Sequence, residues 1–389
     1  MKHNIKVTGS FFGSDGYSNH TRSLFNALTK IDDTNMRIET QLPQDWMRMV
    51  NDNELDAITK VDEGQFDNLI ITMPHMWKMF TGLNKNYGYC VWEGDRVPVS
   101  WIEEFKNPKI DLIFVPSEHT KKAIENTIIK VTDFHTINGA TGEIILNKIK
   151  VIPHGVDRSI FHSQQSNEAL GKAEAQNSVK STNINSADTF KFICNKGWRG
   201  TTWDRGGVQY VIKAFAEEFN KDEKTELIIK LNPAYINPQT INQSIQQLNI
   251  PEDRAPIKII SDLFSQQQLC DLYNQVDCFI CATRGDAFNL PGLEAMSCGL
   301  STIQTDFGGQ LDYMTDDNSC FINYKLSESE EKPLYEEIKW AVPDMDDIKF
   351  NMRWAFEHQN EIKNKAEQAE EDSKNFTWDK TAEKIISVL

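Results

Sequence analysis

Long apolar runs are missing from this sequence of 389 residues, and none approaches the roughly 18 residues that a membrane-spanning helix needs. The first residues, MKHNIKVTGS, also lack the apolar core of a secretory signal peptide and are typical of a β-strand. Basic residues are in deficit, with 41 Lys and Arg against 57 Asp and Glu and a formal net charge of -16. This charge argues against a nucleic-acid partner, which is bound mainly through cations at phosphates, and against broad binding to anionic membranes. We therefore expect a soluble cytoplasmic protein.

The sequence also lacks the even, clustered set of cysteines that indicates a disulfide framework. Its seven Cys are scattered and odd in number, which fits a reducing compartment. Cys278 and Cys281 have the spacing of a metal or redox site, but they lie in an apolar strand, where residues three apart point to opposite faces. The acidic run DMDD, residues 344–347, stands at an apparent helix start, where capping explains it better than a metal. We therefore expect no metal and no cofactor.

What the sequence does contain is apolar strands that alternate with amphipathic helices in two blocks. Near-continuous Val, Ile and Leu runs are typical of strands buried on both faces of a parallel sheet. Strands are expected at residues 5–8, 68–72, 87–92, 111–116 and 149–157 of the first block, and at 190–194, 226–231, 257–261, 278–283 and 301–305 of the second. The polar stretch between the blocks is typical of a linker. The pattern predicts an α/β protein of two Rossmann-like, doubly wound domains that face each other across a cleft.

The stretch RGDAFNLPGLEAM, residues 284–296, is the most informative part of the chain. It follows a strand and opens a helix near Leu290, with the carboxylates Asp286 and Glu294 on either side of the turn. A helix N-terminus beyond the carboxyl end of a parallel strand suits phosphate, and carboxylates suit sugar hydroxyls. Together these features suggest a nucleotide-sugar site. Acidic residues that complement the helix dipole are the open alternative.

Four segments in order resemble the retaining "group 1" glycosyltransferases, which use nucleotide-sugars and have the GT-B fold. They are VIPHGVDRSIF (151–161), WDRGGVQYVIKAFAEEF (203–219), DAFNLPGLEAMS (286–297) and CGLSTIQTDFGGQLDYM (298–314). A fifth segment, WEGDRVPVSW (92–101), resembles a subset of this family that carries WExxxxPxxW. The resemblance spans nearly the whole chain and implies a GT-B fold, with the two domains at 1–165 and 189–350, a linker at 166–188, and C-terminal helices at 351–389 returning to the first domain.

The resemblance implies a donor site in the second domain. Glu294 matches the Glu that binds the ribose hydroxyls, and Asp286 stands where a Glu approaches the donor sugar. Phe288, Asn289 and Leu290 form the turn whose backbone N–H groups would meet the sugar and phosphate. Asn289 replaces the usual Gly, which suggests a changed contact with the sugar or a different donor.

The resemblance also implies cations for the departing diphosphate, because fixed positive charge stabilises the negative charge that develops there. Arg205 matches the family's Lys in this role. Arg199 matches the preceding family Arg less closely, and Lys196 is the rival for that position.

The first domain offers a Gly-rich loop and several polar residues after strands. Gly16 is the expected point of close approach to a ligand, and Ser18 or Asn19 could cap the helix that follows. Three residues that follow strands are candidates for contact with the acceptor or the sugar: Glu93, His75 and His119.

The function implied is transfer of a sugar from a nucleotide-diphosphate sugar to a glycan, lipid-linked or protein acceptor, with retention of anomeric configuration. The implied leaving-group cations make a metal unnecessary. A non-catalytic nucleotide-sugar-binding subunit that supports a partner enzyme is the alternative. An epimerase or a phosphorylase of the same fold would require other signatures. The basic helix at residues 121–130 is the one candidate for membrane contact, and its Ile spacing also fits a core-facing helix. We expect at most transient contact.

Overall fold

The computed structural model describes residues 3–13, 15–59, 64–79, 84–133, 137–164 and 189–389. The linker predicted at residues 166–188 lies outside the described residues.

The first sheet has six parallel strands in the order β2-β1-β3-β4-β5-β6. Its strands are β1 (His3–Gly9), β2 (Thr34–Glu39), β3 (Asp67–Ile71), β4 (Asn86–Tyr89), β5 (Leu112–Val115) and β6 (Ile149–Val151). The helices around it are α1 (Gly16–Leu28), α2 (Asp52–Thr59), α3 (Trp101–Phe105), α4 (Glu118–Asp133) and α5 (Gly139–Lys148), with short 3-10 helices at Trp46–Arg48 and Pro74–Met79.

The second sheet is also parallel and six-stranded, in the order β12-β11-β10-β7-β8-β9. Its strands are β7 (Phe190–Asn195), β8 (Thr225–Lys230), β9 (Ile257–Ile260), β10 (Cys278–Cys281), β11 (Ser301–Thr305) and β12 (Ser319–Ile322). The helices are α6 (Val208–Glu218), α7 (Pro238–Gln247), α8 (Gln266–Tyr273) and α9 (Leu290–Ser297), with a 3-10 helix at Gly309–Asp312. All residues of β8, β10 and β11 are buried. This is expected for strands of a parallel sheet that is covered by helices on both faces. The two sheets confirm the predicted α/β fold.

The expectations for cysteine and for the DMDD run agree with the structure. Cys278 packs in the hydrophobic cluster on one face of the second sheet, and Cys281 packs in the cluster on the other. All seven cysteines are buried and free. Asp344 caps the helix that follows, because its carboxylate accepts from the N–H groups of Asp346 and Asp347 at 3.0 and 3.2 Å.

A two-stranded antiparallel hairpin, β13 (Tyr324–Glu328) and β14 (Lys339–Pro343), follows the second sheet. Three helices then close the chain: α10 (Met345–Glu357), α11 (Gln359–Ser373) and α12 (Trp378–Val388). The three closing helices pack in different places. Residues of α10 and α11 join the apolar clusters of the second sheet, where Ala369 of α11 lies with Val156 and Phe161, and α12 packs with Leu24 and other apolar residues around the first sheet.

The helix considered for membrane contact, α4, packs into the first domain. Its apolar side is buried through Ile124 and Ile128, and its three lysines each pair with a glutamate. Among the described residues, none of the helices combines the length and the apolar character needed to cross a membrane.

Candidate functional site

A cavity of about 1290 Å³ lies between the two domains, at the carboxyl ends of both sheets. It holds ten of the residues singled out from the sequence: Gly16, Glu93, Lys196, Arg199, Arg205, Asp286, Phe288, Asn289, Leu290 and Glu294. The placement follows from topology, because loops after parallel strands collect at one edge of a sheet.

Asp286 organises the turn that precedes α9. Its Oδ1 accepts from the N–H groups of Asn289 at 2.7 Å and Phe288 at 3.3 Å, and its Oδ2 pairs with Lys196. Burial raises the pKa of Asp286, but Lys196 and Arg205 together outweigh burial and hold it below its ordinary value. The expectation that these two N–H groups face the ligand is therefore corrected, since an internal carboxylate already satisfies them.

Asn289 has a left-handed backbone, with φ 59° and ψ 64°. Gly and Asn are the residues that adopt this conformation most readily, which explains how Asn can occupy a position where the resemblance described above implies Gly. Its side chain is buried and joins two elements, donating to Gln304 Oε1 at 2.5 Å and accepting from Lys196 Nζ at 3.0 Å. The Asn side chain therefore braces the turn against β11.

Glu294 lies in α9 with 7% of its surface exposed, and its carboxyl lines the cavity. Burial raises its pKa to about 7, with Lys196 acting in the opposite direction. Its carboxylate accepts no hydrogen bond from the part of the chain that the structure describes. A buried acceptor without a protein donor is suited to a ligand that brings its own O–H groups.

Arg205 joins the two domains across the cavity. Its Nε lies 3.2 Å from Glu93 Oε1, and its Nη1 donates to the carbonyl oxygen of Gly285 at 2.7 Å. Burial tends to lower the pKa of Arg205, but Glu93 and other acidic groups raise it overall, so the guanidinium stays charged. Glu93 is thus the first-domain partner of a second-domain cation.

The two rivals for the second cationic position differ in location. Lys196 has a side chain only 12% exposed and lies beside Asp286. Arg199 has a side chain 60% exposed and pairs with Glu331 at 3.1 Å. Lys196 is therefore the buried cation of the cavity, and Arg199 stands at its rim.

In the first domain, Gly16 begins α1, and a Cβ added there would meet no atom within 4 Å. The residue that caps α1 is Asp15, whose Oδ1 accepts from the N–H of Ser18 at 3.0 Å. The cap expected at Ser18 or Asn19 is therefore wrong. One side of α1 nevertheless lines the cavity with polar side chains, namely Asn19, Arg22, Ser23 and Asn26.

The two histidine candidates lie outside the cavity lining. His75 is exposed on the 3-10 helix Pro74–Met79, because that helix buries Trp77 on its other side. His119 is tied to the backbone, with its Nε2 3.0 Å from the carbonyl oxygen of Glu93. Neither side chain therefore reaches a ligand in the cavity.

Sequence reasoning missed two buried histidines that do line the cavity, His20 and His154. Their ring centroids lie 4.2 Å apart, and the ring of His154 packs edge-on against Phe288. Burial lowers the pKa of His154 to about 3, so both rings are neutral at ordinary pH. His154 lies in the segment VIPHGVD, three residues beyond the end of β6, and this position is the signal that could have identified it.

Among the described residues, no group of three or more His, Cys, Asp or Glu side chains is placed to hold a metal ion.

Residues 197–339 match the family model described as "Glycosyl transferases group 1". A stretch of 100 residues is 28% identical to GDP-mannose:cellobiosyl-diphosphopolyprenol alpha-mannosyltransferase of Xanthomonas campestris, covering 26% of this chain and 25% of that protein. The chain thus spans only a quarter of the length of that curated relative.

Solved structures match over the full length at low identity. A glycosyltransferase from Rickettsia africae superposes with a TM-score of 0.67 and 13% identity, covering 100% of this chain and 97% of that one. Anabaena HepE in complex with UDP-glucose gives 0.64 and 12%, covering 99% and 100%. Sucrose-phosphate synthase from Thermosynechococcus elongatus gives 0.65 and 12%, covering 100% and 98%. The chain has the two-domain GT-B fold, and the match to the group 1 glycosyltransferase model lies in its second domain.

Proposed function

We propose that this protein is a glycosyltransferase that moves a sugar from a nucleotide-diphosphate sugar to a hydroxyl-bearing acceptor. The observation that carries the proposal is the arrangement at the carboxyl edge of the second sheet. There, a buried carboxylate without a protein donor, Glu294, lies in the same cavity as the cations Lys196 and Arg205. A nucleotide-sugar needs both features, because its ribose offers O–H donors and its diphosphate carries negative charge.

In this proposal the ribose hydroxyls donate to Glu294, and each hydrogen bond to the ionised group contributes roughly 1.5–3 kcal/mol. The diphosphate lies between Lys196 and Arg205, near the N-terminus of α9, where the helix dipole favours an anion. As the bond to the sugar breaks, negative charge grows on the diphosphate. Fixed cations at that position stabilise the transition state more than the bound donor, which is what accelerates the reaction.

In this proposal Asp286 holds other groups of the site in place and does not itself react with the donor. Both of its carboxylate oxygens are occupied, one by backbone N–H groups and the other by Lys196. Such a carboxylate is poorly placed to attack the sugar as a nucleophile, but it fixes the turn and holds Lys196 in the cavity. Retention of anomeric configuration is part of the proposal through the family resemblance.

The acceptor would approach from the first domain, along the polar side of α1. Amide and hydroxyl side chains such as Asn19, Ser23 and Asn26 suit an acceptor rich in hydroxyl groups. A glycan fits this description, either free or carried on a lipid or protein. The mannosyltransferase relative, whose name specifies a lipid-diphosphate-linked sugar acceptor, is consistent with this class.

A thermal-shift screen of UDP-, GDP-, ADP- and TDP-sugars tests the proposed donor site, because a ligand that binds only the folded state raises its stability. At least one donor should raise the midpoint of the wild-type protein, and Glu294→Ala should lose most of that rise. Asp277→Ala is the control, since Asp277 is an exposed acid that directly precedes β10, at the end of that strand away from the cavity. Its carboxylate accepts from the N–H of Lys191 at 2.7 Å. If no donor raises the midpoint, or if Glu294→Ala responds like the wild type, the proposed donor site is wrong.

A further inference from the structure

The segment of residues 324–343, here called the arm, consists of β13, β14 and the loop between them. It follows the second sheet in sequence, but its tip is buried in the first domain. Tyr335, Ile338 and Trp340 belong to the same hydrophobic cluster as Trp92 and Trp101. The arm therefore carries second-domain sequence into the core of the first domain.

Polar contacts fix the arm in this position. The N–H of Lys339 donates to Asp95 Oδ1 at 2.7 Å, and Arg96 Nη2 donates to the carbonyl oxygen of Glu337 at 2.7 Å. Asp95 and Arg96 directly follow Glu93 and Gly94 in the first domain. The arm is thus anchored beside the carboxylate that pairs with Arg205.

Tyr335 links the arm to that ion pair. Its ring stacks on Trp92, with centroids 4.8 Å apart and planes 18° apart. Its hydroxyl donates to Glu93 Oε1 at 2.5 Å, and the same oxygen lies 3.2 Å from Arg205 Nε. Burial and the nearby Glu93 carboxylate raise the pKa of Tyr335, so the hydroxyl remains a donor throughout the neutral range.

The contacts on Arg205 fix the plane of its guanidinium. Nε faces Glu93, and Nη1 donates to Gly285. Nη2 donates to no acceptor within the described ranges, and Arg205 is one of the residues that line the cavity. If Glu93 turned away, the guanidinium would lose one of the two contacts that set its orientation.

We propose that Tyr335 is a positioning residue of the transfer reaction: its hydroxyl holds Glu93 against Arg205, which in turn presents Arg205 to the diphosphate of the donor. This inference rests on the proposed function. A Phe at this position would keep the ring packing against Trp92 and would lack only the hydroxyl. The inference therefore concerns the hydroxyl group.

Calorimetry of Tyr335→Phe with a nucleoside diphosphate and the monophosphate of the same base tests this. The probe pair is UDP and UMP, GDP and GMP, ADP and AMP, or TDP and TMP, whichever diphosphate binds the wild-type protein most tightly. Diphosphate affinity should fall on the order of tenfold, at the low end for loss of a hydrogen bond to a charged group. Monophosphate affinity should stay within about twofold, because the terminal phosphate that reaches Arg205 is absent.

Tyr324→Phe is the matched control. Tyr324 lies at the base of the same arm, its ring packs near Phe307, and its hydroxyl makes no hydrogen bond to any described residue. Both affinities should be those of the wild-type protein in this variant.

Three outcomes would overturn the inference in distinguishable ways. Equal diphosphate affinity in the wild type and Tyr335→Phe would leave the proposed function standing and remove Tyr335 from it. Equal losses of diphosphate and monophosphate affinity, with a lower thermal midpoint, would reduce Tyr335 to a structural role. Failure of the wild-type protein to bind any of UDP, GDP, ADP and TDP would refute the proposed function itself, and the inference with it.

Discussion

Replacing Glu294 by Gln should change how the stability of the protein depends on pH. Burial raises the pKa of this carboxyl from 4.5 to about 7, so the folded state binds its proton more tightly than the unfolded state. For an acid shifted in this direction, the unfavourable contribution of the buried charge is absent below the unfolded pKa. It grows as pH rises from the unfolded pKa to the folded pKa, and stays constant above the folded pKa.

The size of the effect follows from the shift. At 1.36 kcal/mol for each pKa unit, it reaches at most about 3 kcal/mol, and water that enters the cavity will reduce it. Gln has nearly the same shape but no charge to desolvate. Glu294→Gln should therefore become progressively more stable than the wild-type protein as pH rises from about 5 to about 8.

Thermal midpoints of the two proteins, measured without ligand across this pH range, check the prediction. Their difference should widen with pH and level off above about pH 7. A difference that is the same at every pH would show that Glu294 is hydrated or paired in solution, and would refute the reasoning. Nucleotide affinity of the wild type should rise roughly tenfold between pH 6 and 8, because O–H donors favour the ionised carboxylate, and Glu294→Gln should lack this rise.

Three further predictions concern other residues of the chain. Lys196→Ala should weaken binding of a nucleoside diphosphate by roughly 10–100-fold in calorimetry, whereas the exposed Arg199→Ala should weaken it less than about tenfold; the reverse order would place Arg199 at the diphosphate. Asn289→Ala should lower the free energy of unfolding by about 2–4 kcal/mol in denaturant titrations, because it combines a left-handed Ala with the loss of two side-chain hydrogen bonds. Asn289→Gly should lower it less, and equal losses would refute the backbone argument. His75→Ala should leave donor turnover unchanged, and a large loss would bring His75 back into the site.

The central strands of both sheets could be predicted because burial on both faces leaves a continuous apolar run in the sequence. Strands of mixed composition were missed for the same reason. β2 reads TNMRIE and lies at a sheet edge, and β13 reads YKLSE in the arm, with four of its five residues exposed. Both strands lack a continuous apolar run, and each has only two apolar residues in alternation with polar ones, which is a weak strand pattern in sequence.

The candidate site likewise has parts that could be predicted from the sequence and parts that could not. The turn at Asp286 and the helix that carries Glu294 are continuous in sequence and follow a recognisable strand, so they could be located. The contact between Tyr335 and Glu93 joins residues 242 positions apart, and it depends on how the arm packs against Trp92. No local pattern encodes such a contact. The use of the Phe288 N–H by Asp286 is also a matter of turn geometry that sequence spacing does not determine.

Sugar transfer can be measured as release of nucleoside diphosphate from nucleotide-sugars by the purified wild-type protein in the presence of saccharide acceptors. At least one donor among the UDP-, GDP-, ADP- and TDP-sugars should be consumed, with the sugar recovered on the acceptor or, more slowly, on water. Glu294→Ala should reduce this turnover at limiting donor. Tight nucleotide binding with no release from any donor would contradict the account and would favour a non-catalytic subunit that binds nucleotide-sugar for a partner enzyme.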